Sequence, residues 1–210
     1  MNKKKVIISC VLLVVLFLWL DYDYAFQFLR KVTIGLEVKE VTLGTGVYNG
    51  AIDIASGYYD VISDGDNYLD TIMLRKGNTC KYFYIEEDQR FVVQGSGKLR
   101  FVPTSYEKLE CKDDTYQILD SGFYKIGTCI EAGSYEVTMK SQSNSNIIDF
   151  PFILIYGKEN TQFVDPIQIY SFDKKNQELT CQLNQDEVAL IYRGDYGNDK
   201  TASLQFKKIK

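Results

Sequence analysis

The chain has no histidine, so neither a Ser-His-Asp nor a Cys-His nucleophile can be assembled, and every His-bearing zinc site is excluded. Carboxylates and cysteines are the residues left with chemistry to offer. Two acids flanking a sugar could cleave a glycoside, but the Asp and Glu residues are scattered through turn-like stretches and spacing singles out no pair. The stretch "DGDNYLD", Asp64 to Asp70, opens like a calcium loop, with oxygen ligands at Asp64 and Asp66. It then places Tyr68 fifth and Leu69 sixth, where the loop requires glycine, and puts Arg75 where the closing glutamate belongs. A solvated hairpin is the better reading. No phosphate-cradling glycine loop or dinucleotide fingerprint is present. Catalytic, cofactor-binding and metal-ligating residues are therefore expected to be none, and a carboxylate-dependent surface hydrolase stands as the alternative to a non-enzymatic role.

Cys80, Cys111, Cys129 and Cys181 lie beyond the first thirty residues, and four cysteines allow three pairings. In an oxidising compartment Cys80 with Cys111 and Cys129 with Cys181 would keep each bridge local; buried free thiols are the alternative. No C-x-x-C spacing supports redox or zinc chemistry.

These residues have to be held by something, and the composition points to strands. There are 16 Tyr and 12 Phe among 210 residues, in short alternating runs broken by Gly, Asn and Asp. The expected fold is all-β: two tandem related β-sandwich or partly open barrel units at 41–105 and 115–210, joined by a linker over 106–114. The second unit is longer. Its extra stretch, "FPFILIYGKENTQFVDPIQIYSF", is rich in apolar residues, which makes this unit the one expected to have diverged toward binding.

The two units carry one phrase twice. "GVYNGAIDIASGYYDV", 46–61, and "GFYKIGTCIEAGSYEV", 122–137, agree without gaps at Gly46/Gly122, Tyr48/Tyr124, Ile54/Ile130, Gly57/Gly133, Tyr59/Tyr135 and Val61/Val137. Ordinary residue usage would give roughly one match. The physical reading is strand, tight turn, strand. Gly57 and Gly133 supply a backbone conformation that side chains resist, and Tyr59 and Tyr135 turn inward to seat the second strand on the core. Sugar-stacking by these tyrosines is the functional alternative.

"IGTCIEAGSY", Ile126 to Tyr135, resembles a motif of roughly V-G-x-D-I-P-A-G-x-Y from extracytoplasmic domains of Gram-positive surface proteins and lipoproteins, most without assigned function. It departs at Cys129 and Glu131, where the motif has Asp and Pro. "GAIDIASGYY", Gly50 to Tyr59, keeps Asp53, Ile54, Gly57 and Tyr59. The resemblance implies a small β domain on a bacterial surface and transfers no catalytic residue.

Ahead of these units, Lys3, Lys4 and Lys5 precede "VIISCVLLVVLFLWL", Val6 to Leu20. As a helix those 15 residues cover roughly 22 Å, short of the ~30 Å hydrocarbon core, with lysine snorkelling and Trp19, Tyr22 and Tyr24 to make up the difference. Cys10 nearly opens the apolar run, which rules against a lipobox. No small-residue cleavage site follows Leu20, so an uncleaved signal-anchor over 1–24 is expected, then a juxtamembrane linker over 25–40. The lysines would face the cytoplasm and the rest lie outside the cell membrane. The net charge of −4 argues against nucleic acid as a partner. The expected partners are the membrane through 6–20 and an envelope protein or glycan. The expected role is a binding or interaction module of the cell envelope, with a structural subunit of a membrane complex as a further alternative.

Overall fold

The computed structural model describes residues 36–141, 149–157, 165–195 and 202–209. The expected anchor over 1–24 lies outside them, as does most of the juxtamembrane stretch; among the described residues no helix is long and apolar enough to cross a membrane. Every regular element described is a strand, so the fold is all-β with several sheets. The first half contains β1 (Val41–Leu43), β2 (Gly46–Asn49), β3 (Gly57–Ser63), β4 (Asn67–Leu69), β5 (Ile72–Leu74), β6 (Thr79–Ile85), β7 (Arg90–Gly95) and β8 (Leu99–Pro103). The second contains β9 (Cys111–Lys112), β10 (Thr115–Ile118), β11 (Ser121–Lys125), β12 (Gly133–Lys140), β13 (Phe152–Tyr156), β14 (Gln168–Ser171), β15 (Glu178–Leu183), β16 (Val188–Tyr192) and β17 (Ser203–Lys208).

Period-two burial explains why these segments are strands. In β3 Tyr59, Val61 and Ser63 are buried and their neighbours half-exposed; in β12 Tyr135 and Val137 take the same positions. The strand pairings recur between halves. β1·β8, β3·β8 and β3·β6 in the first match β10·β17, β12·β17 and β12·β15 in the second. Likewise β2·β7, β4·β7 and β4·β5 match β11·β16, β13·β16 and β13·β14.

The halves are also joined in a way the linker alone did not suggest. β6 pairs with β11 in parallel, Cys80 beside Ser121 and Lys81 beside Gly122, fusing four strands of each half into one eight-stranded sheet. The join requires Gly122: a Cβ there would lie 2.5 Å from the Lys81 carbonyl oxygen. Each half also contributes one further sheet, β2-β7-β4-β5 or β15-β12-β17-β10-β9.

The two cores lie on opposite faces of the shared sheet. Cys80, Phe83 and Ile85 of β6 face the first core, together with Phe123, Leu190 and Tyr156 from the second half. Tyr124, Ile191 and Ile155, one residue out of phase, face the second core. Tyr82 crosses from the first half into that second core, because a bulge in β6 gives it a φ of 58° and turns its side chain over.

Candidate functional site

The repeated phrase builds the same backbone device twice. Tyr59 donates its hydroxyl hydrogen bond to the Ala55 carbonyl at 2.9 Å, and Tyr135 donates to Glu131 at 2.7 Å, each four residues upstream. Tyr48 and Tyr124 repeat the pattern to Gly44 and Asp120, at 3.0 and 2.8 Å. The turns between them match as well: the Ala51 N–H donates to Ile54 and the Gly127 N–H to Ile130, while the Gly50 and Ile126 N–H groups donate to Gln89 and Glu187. Gly57 and Gly133 have φ of 155° and 157°. At Gly57 nothing lies closer than 3.8 Å to a built Cβ, so backbone conformation, not space, calls for glycine there. Both inner tyrosines are fully buried, and burial pushes their phenols above the usual range, so they stay donors at neutral pH. With their rings enclosed in the two cores, Tyr59 and Tyr135 present no face to a ligand.

Cys80, Cys111, Cys129 and Cys181 are free thiols in the structure. Cys80 sits in the first core, whereas Cys111 is exposed on β9, which pairs with β10 in the second half. Cys129 and Cys181 are both buried in the second core as small apolar side chains, and burial pushes their thiols up to about 11 and about 12. The acids of "DGDNYLD" are engaged by protein groups. Asp64 accepts the Lys98 N–H, Asp66 pairs with Arg75 at 2.7 Å, and Asp70 accepts the Val92 N–H at 2.8 Å.

A seam of charge stitches the halves together. Arg75, just after β5, reaches Asp195 of the second half through Nη2 at 2.6 Å and through Nε at 2.8 Å. Buried Arg193 donates to the Ala202 carbonyl at 2.9 Å and to Asn78 of the first half at 3.2 Å. Lys81 pairs with Asp60 at 2.6 Å, and Asp60 also accepts the Tyr82 N–H at the bulge. Asp120 stands beside this seam; burial raises its carboxyl above the usual aspartate range, against the pull of Lys81 and Arg193. These groups tie strands to one another.

The surface offers two kinds of feature. A groove of about 480 Å³ follows β9 and β10, lined by Glu110, Lys112, Asp113 and Gln117, with Glu110 and Lys112 paired at 3.2 Å. More informative is the far end of the second half. Ile167 and Ile169 are 59% and 64% exposed, just before and on β14, the last strand of the eight-stranded sheet. Beside them β15 ends its own sheet, and its Gln182 N–H donates to the Tyr170 hydroxyl of β14 at 3.3 Å. At the opposite end of the molecule β2 closes the four-stranded sheet, with Val47 47% exposed. Sequence reasoning identified the apolar richness of 150–172 without separating core from surface. The cue is in "PIQIYSF": isoleucines alternating with Gln168 and Tyr170 on a strand that, among the described residues, has a neighbour on one side only. Comparison with protein-family models, curated proteins and solved structures finds no match.

Proposed function

We propose that this chain is a membrane-tethered, extracytoplasmic interaction module of the bacterial envelope, built from two related β-sandwich units and binding a protein partner through β14. The recurring strand pairs and the twice-built tyrosine-glycine turn support duplication of one unit. The apolar run over 6–20 supports the tether. One observation carries the binding role: Ile169 on the sheet-edge strand and Ile167 just before it stand out at 64% and 59% exposure. Soluble proteins protect strand edges with charge, proline or cover, because unpaired backbone groups and apolar side chains together invite another chain. An edge left in that state suits strand addition by a partner, with backbone pairing for affinity and side-chain contacts for specificity.

The test is photo-crosslinking in intact cells, with a photoreactive residue at position 169 of the full chain and another at Gln117 on the β9–β10 groove side. Protein adducts specific to position 169 are expected. Adducts from Gln117 alone, or from neither position, would reject β14 as the binding edge.

A further inference from the structure

The joint between the two halves is made by two non-equivalent edge strands, one from each half. β6 is an edge strand of its half and β11 an edge strand of the other, and they pair in parallel. By the strand matching, β15 is the counterpart of β6 and β2 is the counterpart of β11. Among the described residues β15 and β2 each pair on one side only. The edge types joined inside the chain thus recur at its two ends with no second strand beside them among the described residues, the Gln182 N–H of β15 being taken by the Tyr170 hydroxyl.

We infer that the chain assembles head to tail, β15 of one copy adding in parallel to β2 of the next and repeating the internal joint between molecules. This names a second copy as the protein that covers Ile169 of β14, with the backbone pairing made by the neighbouring edge strand β15, and it rests on the reading of that end as the binding face. The register follows from the match. Val61 and Val137 are equivalent and face Cys80 and Leu179, so Lys81 corresponds to Thr180. Gly46 corresponds to Gly122. Thr180 would therefore lie beside Gly46, as Lys81 lies beside Gly122.

Two independent observations favour this contact. The first is Gly46 itself. At Gly122 a Cβ would collide with the backbone of β6, whereas at Gly46 the nearest atoms belong to the ring of Tyr48. A glycine stands at the open edge where an approaching backbone would need one. The second is the placement of apolar side chains. Phe123 faces Leu190 across β11 and β16, and both are covered by the first half; their counterparts are Val47 and Val92. The cover comes from the β4–β5 hairpin: Leu69, Thr71 and Ile72 line one side of a cavity of about 190 Å³, with Phe123 and Leu190 on the other. The counterpart of Thr71 is Ile169 and that of Ile72 is Tyr170. Exposed Ile169 would thus meet exposed Val47, closing apolar surface that each end leaves in water.

The intermolecular joint lacks one anchor. β15 has no bulged residue to match Tyr82, since Thr180 runs directly into Cys181. Assembly is therefore weaker than the internal joint and reversible. Because two different surfaces meet, the contact is heterologous and grows into chains rather than closing as a dimer.

Sedimentation of the purified full chain in detergent tests this, with Val47→Asp and Ile169→Asp introduced separately. Wild type is expected to sediment progressively faster as concentration rises, past the dimer. Each variant alone is expected to stay monomeric with an unchanged melting temperature, since both positions are exposed. Mixed in equal amounts, the variants still offer one intact end each and should form a dimer and nothing larger. A wild type that stays monomeric throughout overturns the proposal, as does an assembly lost in Ile169→Asp and kept in Val47→Asp. Position-169 crosslinks to other proteins, alongside a monomeric pure chain, would remove self-assembly and leave the binding edge standing.

Discussion

Asp120 sits where the two halves meet, with Lys81 and Arg193 near and its carboxyl still raised by burial. A raised acid marks a folded state that disfavours the charge, because lost hydration exceeds what the neighbouring cations return. The folded chain therefore holds the proton more firmly than the unfolded one. Stability falls as pH rises from the unfolded aspartate value through the raised folded one, and the penalty is fully present above it. Asp120→Asn removes that penalty. Its melting temperature should exceed wild type at about pH 7, and the gap should close toward about pH 3, where both states hold the proton. A gap that persists at low pH would mean the gain comes from packing. Glu131 is the opposite kind of acid. Lys208 and Lys108 hold its carboxyl below the usual range on an exposed surface, where such pairs add little to stability.

At the scale of strands and turns, the repeated phrase does its work through bonds that span four residues. Tyr59→Phe and Tyr135→Phe each delete one donor to a carbonyl while leaving the ring in the core. Each should cost about 1 kcal/mol, or about 2–4 °C in thermal melting, and nearly equally, since the two copies share their geometry. A large cost at one site only would break the equivalence. Such local chemistry is why these turns were legible in the sequence: both bond partners fall within one short window. The sharing of the central sheet was not, because it rests on pairing between strands far apart in the chain, and a single inserted residue hides which side chains of β6 face which core. Simple alternation would put Cys80, Tyr82 and Tyr84 on one face of "CKYFYIEE". The structure instead puts Cys80, Phe83 and Ile85 in the first core and Tyr82 in the second. The break in apolar phase between Cys80 and Phe83 is the only trace of the bulge. The grouping of the cysteines was hidden for a related reason. Cys111 falls within the linker read over 106–114, but β9 pairs into the sheet of the second half.

For the whole molecule, the parallel contact of β6 with β11 turns two similar halves into one body with cores on opposite faces of a common sheet. Its strength can be read by changing the same residue type at equivalent positions. Gly122→Ala forces a methyl group against the backbone of Lys81, with the carbonyl oxygen at 2.5 Å and the nitrogen at 2.8 Å, and strands joined on both sides have little room to move. A loss of about 1–3 kcal/mol is expected, visible as a lower melting temperature. Gly46→Ala meets only the movable ring of Tyr48, at 3.1–3.2 Å, and should change stability by less than about 0.5 kcal/mol. If β2 receives β15 of a second copy, that added methyl group meets a backbone only in the assembled state. Gly46→Ala would then leave melting of the dilute chain unchanged and weaken self-association, while Gly122→Ala lowers melting at every concentration. Equal melting losses at the two glycines would show instead that both edges are already covered within one chain.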